Sequence, residues 1–175
     1  MNLNLKRLIL LLQSSEEDRL QYLTNLELAK TWYKESPKAR SMAGTNFLMA
    51  IDALLGEQHN LKHDLESFFW VLFWICIHWN GPGKKRRESE FEHWNFSSTE
   101  KLARRKTGQV SKRLFGMVTD EFTPYCKQSI NCVRELRKVV LPGGIARLEG
   151  DRELYAQIRS VLDKAGGDPA ALATV

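Results

Sequence analysis

The strongest pattern along the chain lies between Leu65 and Trp79, where 12 of 15 residues are apolar and only Glu66, Ser67 and His78 interrupt the run. The segment from Lys62 to Asn80 contains no Gly or Pro and stops at Gly81-Pro82-Gly83. A helix that is apolar all round is one surrounded by protein. This segment therefore predicts a central buried helix on which the rest must pack. It falls short of the roughly 20 apolar residues that a membrane span needs. Amphipathic stripes predict further helices. Phe47, Ile51, Leu54 and Leu55 share one side of a short helix over Asn46 to Leu55, with Gly56 as its stop. Ser97-Ser98-Thr99-Glu100 reads as a capping box, with Ser97 as N-cap and Glu100 at N3, opening a basic helix through about Lys106. Leu114, Val118 and Phe122 mark a helix over Ser111 to Phe122, and Ile130, Val133, Leu136 and Val140 mark the next. Leu154, Ile158, Val161 and Leu162 mark a last helix, opened by Asp151 and ended at Gly166-Gly167. Near the start, Leu8 to Leu12 and Gln21 to Thr24 predict two short strands joined across Ser14 to Asp18. Thr31 to Met42 and Gly83 to Glu92 read as loops, and Asp168 to Val175 as a frayed tail. The fold class is mainly α, with a small N-terminal β-hairpin and a central buried helix.

Composition changes this picture little. The 175 residues suit one domain with a real core. Net charge is 26 − 21 = +5, but Lys84-Lys85-Arg86-Arg87 supplies four of those charges. Glu88, Glu90 and Glu92 dilute the field of that run, so a solvated loop is favoured over a nuclear-import or phosphate-binding patch. Nucleic-acid binding is held low, because the helices lack a basic recognition face. Trp70, Trp74, Trp79 and Trp94 read as core rather than as base-stacking platforms. The three cysteines, Cys76, Cys126 and Cys132, have no tight spacing, which argues against a disulfide framework and a zinc knuckle. They suggest a reducing compartment, so an intracellular location, cytoplasmic or nuclear, is expected.

Several segments resemble a known family. Ala43-Gly44-Thr45-Asn46-Phe47-Leu48-Met49-Ala50-Ile51-Asp52-Ala53-Leu54 looks like the end of a protein kinase activation segment. His63-Asp64-Leu65-Glu66-Ser67-Phe68-Phe69, with the apolar helix after it, resembles the central helix of the kinase large lobe in the wording of the fungal-type protein kinase family. Cys132 to Lys138 and Leu154-Tyr155 look like that family's C-terminal helices. The resemblance covers roughly Leu20 to Ala165. It implies a protein kinase-like C-terminal lobe over residues 1–165, with a flexible tail over 166–175 and no room upstream for an N-terminal lobe.

The family transfers phosphate from ATP with Mg2+. Laid on its catalytic loop, the chain places Asn4 where the general base should be and Ile9 where a metal-binding Asn should be. Thr24-Asn25-Leu26-Glu27-Leu28-Ala29 resembles the segment that supplies the other metal-binding Asp, and that position holds Asn25. A neutral amide cannot balance magnesium as a carboxylate does. The resemblance therefore implies no catalytic residues, no bound ATP or Mg2+, and a pseudokinase remnant acting, if at all, as a protein-interaction module. The alternative is the C-terminal part of an active Ser/Thr protein kinase whose N-terminal lobe is missing from this chain. By resemblance, Asp64 braces the catalytic loop through backbone N–H groups, and Asp52 ion-pairs with Arg134 or Arg137. Gly44 and Thr45 lie where peptide substrate would dock. His59 and His63 have the i, i+4 spacing of metal ligands, but no third ligand accompanies them, so no metal is expected. Phe47 and Val71 are expected to be exposed where a small lobe would sit, offering a surface to a protein partner. No membrane association is expected.

Overall fold

A computed structural model describes residues 46–81, 84–86, 89–145 and 152–166. The predicted hairpin, the loop over Thr31 to Met42 and residues 167–175 lie outside the described residues. What is described is mainly helical: α1 (Ile51–Leu54), α2 (Leu61–His78), α3 (Thr99–Val110), α4 (Lys112–Asp120), α5 (Ile130–Val140) and α6 (Arg152–Gly166). Three 3-10 turns join them, at Glu92–Phe96, Pro124–Ser129 and Pro142–Gly144.

α2 is the predicted central helix. Its Phe69, Leu72, Phe73, Cys76 and Ile77 are almost fully inaccessible. Phe73 lies within 6.3 Å, ring centre to ring centre, of Phe69, Trp70, Phe91, Trp94, Phe115 and Phe122. Such edge and offset contacts add to the burial of each ring. α5 lies against both α2 and α6, and α3 packs on α1 and α4. The stripes of α5 and α6 point into the same core, which holds Val133, Leu136, Val140, Leu154, Ile158 and Leu162.

The structure corrects several expectations. The short helix occupies only Ile51–Leu54 of the segment predicted from Asn46. Phe47 is buried rather than exposed, with its ring centre 4.0 Å from that of Trp74, whereas Val71 is partly exposed. Trp79 is not core: it caps α2 and is 37% exposed. The capping box at Ser97 is absent. Ser98 is the N-cap of α3, Ser97 Oγ instead donates to the His93 carbonyl and accepts from Arg105, and Glu100 pairs with Arg104. α3 also runs past Lys106 to Val110, through Gly108.

Both ends of α2 are closed by specific bonds, as a buried helix end requires. Asn60 is the N-cap. Its Oδ1 accepts from Lys62 N–H at 3.0 Å, and its own N–H donates to His63 Nδ1 at 3.2 Å, completing a capping box with His at N3. At the other end, the Cys76 carbonyl accepts from Thr123 N–H at 2.9 Å and the Trp79 carbonyl from Thr123 Oγ1 at 2.7 Å. Arg86 N–H donates to the His78 carbonyl at 2.7 Å, and Trp79 pairs with Lys85 in an isolated antiparallel bridge, so the chain folds back at the predicted stop. Gly81 there has φ +110°, a conformation that side-chain-bearing residues rarely adopt.

Candidate functional site: the polar end of the central helix

The described residues that carry candidate chemistry meet where α1 approaches the first turns of α2. Lys62 is buried and its Nζ lies 3.1 Å from both Asp52 Oδ2 and Glu57 Oε2. Burial pulls the Lys62 ammonium down, but the two carboxylates outweigh it and hold the ammonium above the ordinary lysine range. Asp52 is thus paired with Lys62, not with Arg134 or Arg137. Lys62 lies only ten residues away across the α1–α2 connection, and both late arginines are used elsewhere. Arg134 donates to Thr119 Oγ1 at 2.7 Å, and Arg137 Nε donates to the Val110 carbonyl at 2.6 Å.

Asp64, on the first turn of α2, is half exposed and lies 3.1 Å from His59 Nε2. The catalytic-loop positions that it was expected to brace, Asn4 and Ile9 among them, lie outside the described residues. So do Asn25, Gly44 and Thr45.

One turn further on is a buried polar pair that pattern reading misses. Glu66 Oε1 accepts from the Ile51 N–H at 2.7 Å and from Trp70 Nε1–H at 2.9 Å. Lys106, fully buried on α3, donates to the Met49 carbonyl and lies 4.2 Å from the centre of the Trp70 ring. Burial raises the Glu66 carboxyl above its ordinary range and drives the Lys106 ammonium well down, and the charge of each counters the shift of the other. Together they pin the Met49–Ile51 backbone, the segment that carries Asp52, between α2 and α3.

Asp52, Glu57 and His63 bring one ligand atom each within 4.8 Å. Two features make the trio a poor metal cradle. The Lys62 ammonium already sits against both carboxylates. His63 Nδ1 accepts the Asn60 N–H, so the neutral ring carries its proton on Nε2, the atom that faces Glu57 at 3.8 Å. A protonated nitrogen has no lone pair for a cation. Burial, with Lys62 and His59 nearby, lowers the His63 pKa and keeps that ring neutral. His59, the other expected imidazole, is tied to Asp64.

Two residues of the basic run are equally committed. Lys85 pairs with Glu92 at 3.2 Å, and Arg86 bonds both the carbonyl and the carboxylate of Glu121. Lys84 is exposed, and Arg87 lies outside the described residues. All three cysteines are free and buried. Among the described residues, no helix is long and apolar enough to cross a membrane.

All of the site but Lys106 lies within a segment that a family model matches. The model of the fungal protein kinase family matches residues 4–76, which supports placing the chain with the fungal-type protein kinases. The matched stretch includes Asn4, Ile9, Asn25, Gly44, Thr45, Asp52 and Asp64, and ends inside α2. The helices after α2 lie beyond it. No curated protein and no solved structure matches the chain.

Proposed function

We propose that this chain is a non-catalytic, kinase-like large-lobe module, a pseudokinase that acts through protein contacts. The observation that carries the reading is Asn25. It stands, by resemblance, at a position where the family holds magnesium with a carboxylate, and Asn4 and Ile9 depart from the pattern in the same direction. Phosphoryl transfer is almost entirely positioning and charge neutralisation around the metal-bound phosphates. Losing the charged ligand removes the part that matters most. The described site supports the same reading: Asp52, Lys62, Glu66 and Lys106 are each committed to a partner within the fold. These four brace the scaffold rather than face a substrate.

Protein contact is supported by apolar side chains at the surface, with Phe96 at 86%, Ile145 at 69% and Met117 at 66% exposure. The paired Lys85 and Arg86 weigh against a nucleic-acid partner. The free thiols support an intracellular location.

A second reading keeps the chain as the large-lobe part of an active Ser/Thr protein kinase. The intact bracing of the Met49–Ile51 segment favours it, since a working kinase needs that segment rigid. Thermal shift of the purified chain with millimolar ATP and magnesium separates the two. No stabilisation is expected, because ligand binding to the native state alone would raise the melting temperature. A reproducible, magnesium-dependent rise would overturn the non-catalytic reading.

A further inference from the structure

The nine-residue helix α4 has two unlike faces. Phe115, Val118 and Thr119 are buried. The opposite face carries Arg113, Leu114, Met117 and Asp120, all exposed, with Met117 at 66% and Leu114 at 39%. Residues three and four apart share one side of a helix. Arg113, Met117 and Asp120 therefore fall on one line, with Leu114 beside it, and the line reads basic, apolar, acidic. Among the described residues, the side chains of Arg113 and Asp120 make no bond or ion pair, whereas the neighbouring Glu121 is taken up by Arg86. Gly116 lies at the edge of this face, where an added Cβ would meet nothing within 4 Å. No described neighbour requires a glycine there, and glycine is less favourable than alanine inside a helix. What it does is leave the backbone open to close approach. Ile145, 69% exposed, extends the apolar part. It follows Gly144, where an added Cβ would lie 3.0 Å from Cα of Ser111, the N-cap of α4.

We propose that this face is a homodimer contact, in which α4 packs antiparallel on α4 of a second copy of the chain. The order of the charges selects that partner. The midpoint between Arg113 and Asp120 falls beside Met117. A two-fold axis there sets Arg113 against Asp120 of the second copy, and Asp120 against Arg113 of the second copy. The pairing is reciprocal, as a two-fold interface requires. It gives both free charges a partner and brings Met117 and Leu114 of the two copies together at the centre. Parallel packing would set each charge against its like, and like-charge juxtaposition rejects that arrangement. A purely acidic or purely basic partner would match one end of the face and repel the other. Self-association names the partner that the protein-contact reading calls for, and rests on that reading. The thermal shift with ATP and magnesium asks a separate question, so either can fail without the other.

The two parts of the face have different tasks. Exposed ion pairs are worth little by themselves, so the apolar centre supplies most of the attraction. The charges set direction and register, because a shifted or reversed helix meets repulsion instead of pairing. The strip runs for only two helical turns, less than the interface of a stable complex. The dimer is therefore a weak one, in equilibrium with the monomer and sensitive to protein concentration.

Analytical ultracentrifugation of the full chain tests this, over a concentration series that reaches about 1 mM, the range of weak complexes. The expected result is a mass that rises from one chain toward two as concentration increases. M117E places a carboxylate at the axis, facing its own copy, and should abolish the rise. R113D and D120R each turn two pairings into repulsions and should each raise the dissociation constant by about tenfold or more. The double variant R113D/D120R merely exchanges the partners and should restore wild-type association. All three positions are exposed, and circular dichroism confirms that each variant is folded. A chain that stays monomeric at every concentration leaves the face to a different protein and overturns the proposal. A dimer that M117E leaves intact overturns it as well, as does a double reversal no tighter than the single ones.

Discussion

The two ends of α2 are built on different chemistry. At its start, ions hold the structure: Asp52, Glu57, Lys62, Glu66 and Lys106 form two linked groups in which most charges are buried and matched. At its end the parts are neutral: thiols, the Thr123 hydroxyl, and His78 stacked 3.7 Å from Trp74. Even the two buried histidines take opposite forms. His63 accepts at Nδ1 and carries its proton on Nε2, whereas His78 Nδ1–H donates to the Trp74 carbonyl at 3.0 Å and leaves Nε2 bare. The difference teaches what each end tolerates. Removing one member of a buried ionic group leaves its partner charged and unpaired, while removing one member of a neutral seam strands a single dipole.

The largest expected effect is therefore at Glu66. E66A leaves the Ile51 N–H and Trp70 Nε1–H without an acceptor and Lys106 without its counter-charge. Breaking a buried pair in this way costs about 3–5 kcal/mol. Pairing E66Q with K106M removes both charges together, keeps an amide oxygen as acceptor for the Ile51 and Trp70 donors, and should recover most of that loss in urea denaturation. A double variant no more stable than E66A would show that the ionic end is not a matched pair, and the contrast between the two ends would fall.

How much of this was legible in the sequence follows from the same chemistry. The central helix could be read because its apolar run is long and unbroken by Gly or Pro, and the stripes of α5 and α6 because their spacing is regular. Buried charges could not be read by a rule that sends charged residues outward. Lys106 carried a signal nonetheless: it lies on the line Leu102–Lys106–Val110, at four-residue spacing on the buried face of α3. Glu66 interrupts an apolar run with Trp70 four residues on, a donor placed to meet it. The α2 cap was missed because His63 fills the position where Glu or Gln marks the usual capping box. The partner of Asp52 was sought in the late helices, although the nearest cation was on the next helix. The family match takes in Asn4, Ile9, Asn25, Gly44 and Thr45, which lie outside the described residues. Their roles remain those that resemblance gives.

A smaller effect is expected at the neutral end. T123V keeps the shape of the side chain and the backbone bond to Cys76, but removes the hydroxyl that donates to the Trp79 carbonyl at 2.7 Å. That carbonyl keeps only the weak Cys126 thiol at 3.9 Å. Leaving it underbonded costs about 1–2 kcal/mol. The urea midpoint should fall by the corresponding amount with an unchanged slope. A loss as large as that of E66A would mean that the neutral seam is as intolerant as the ionic end.

The smallest effect separates the two ends by pH. Burial lowers the His78 pKa from 6.5, so the folded state holds the ring neutral while the unfolded chain protonates it first. In that window the unfolded state binds more protons, so stability rises with pH. The contribution is fully present above 6.5 and is lost as pH falls from 6.5 toward the depressed folded value. His63 and His93 act in the same sense, and Glu66, whose carboxyl is raised, in the opposite one. The wild-type slope is a sum, but the difference between wild type and H78N isolates one member of it. Asn keeps a donor for the Trp74 carbonyl and does not titrate. Melting temperatures measured between about pH 5 and pH 8, the range in which histidine changes charge, should fall less steeply on acidification for H78N than for wild type. Parallel curves would mean that Glu92, 3.8 Å from Nε2, holds the His78 imidazolium as well as burial disfavours it. The aromatic end of α2 would then be an ionic end as well.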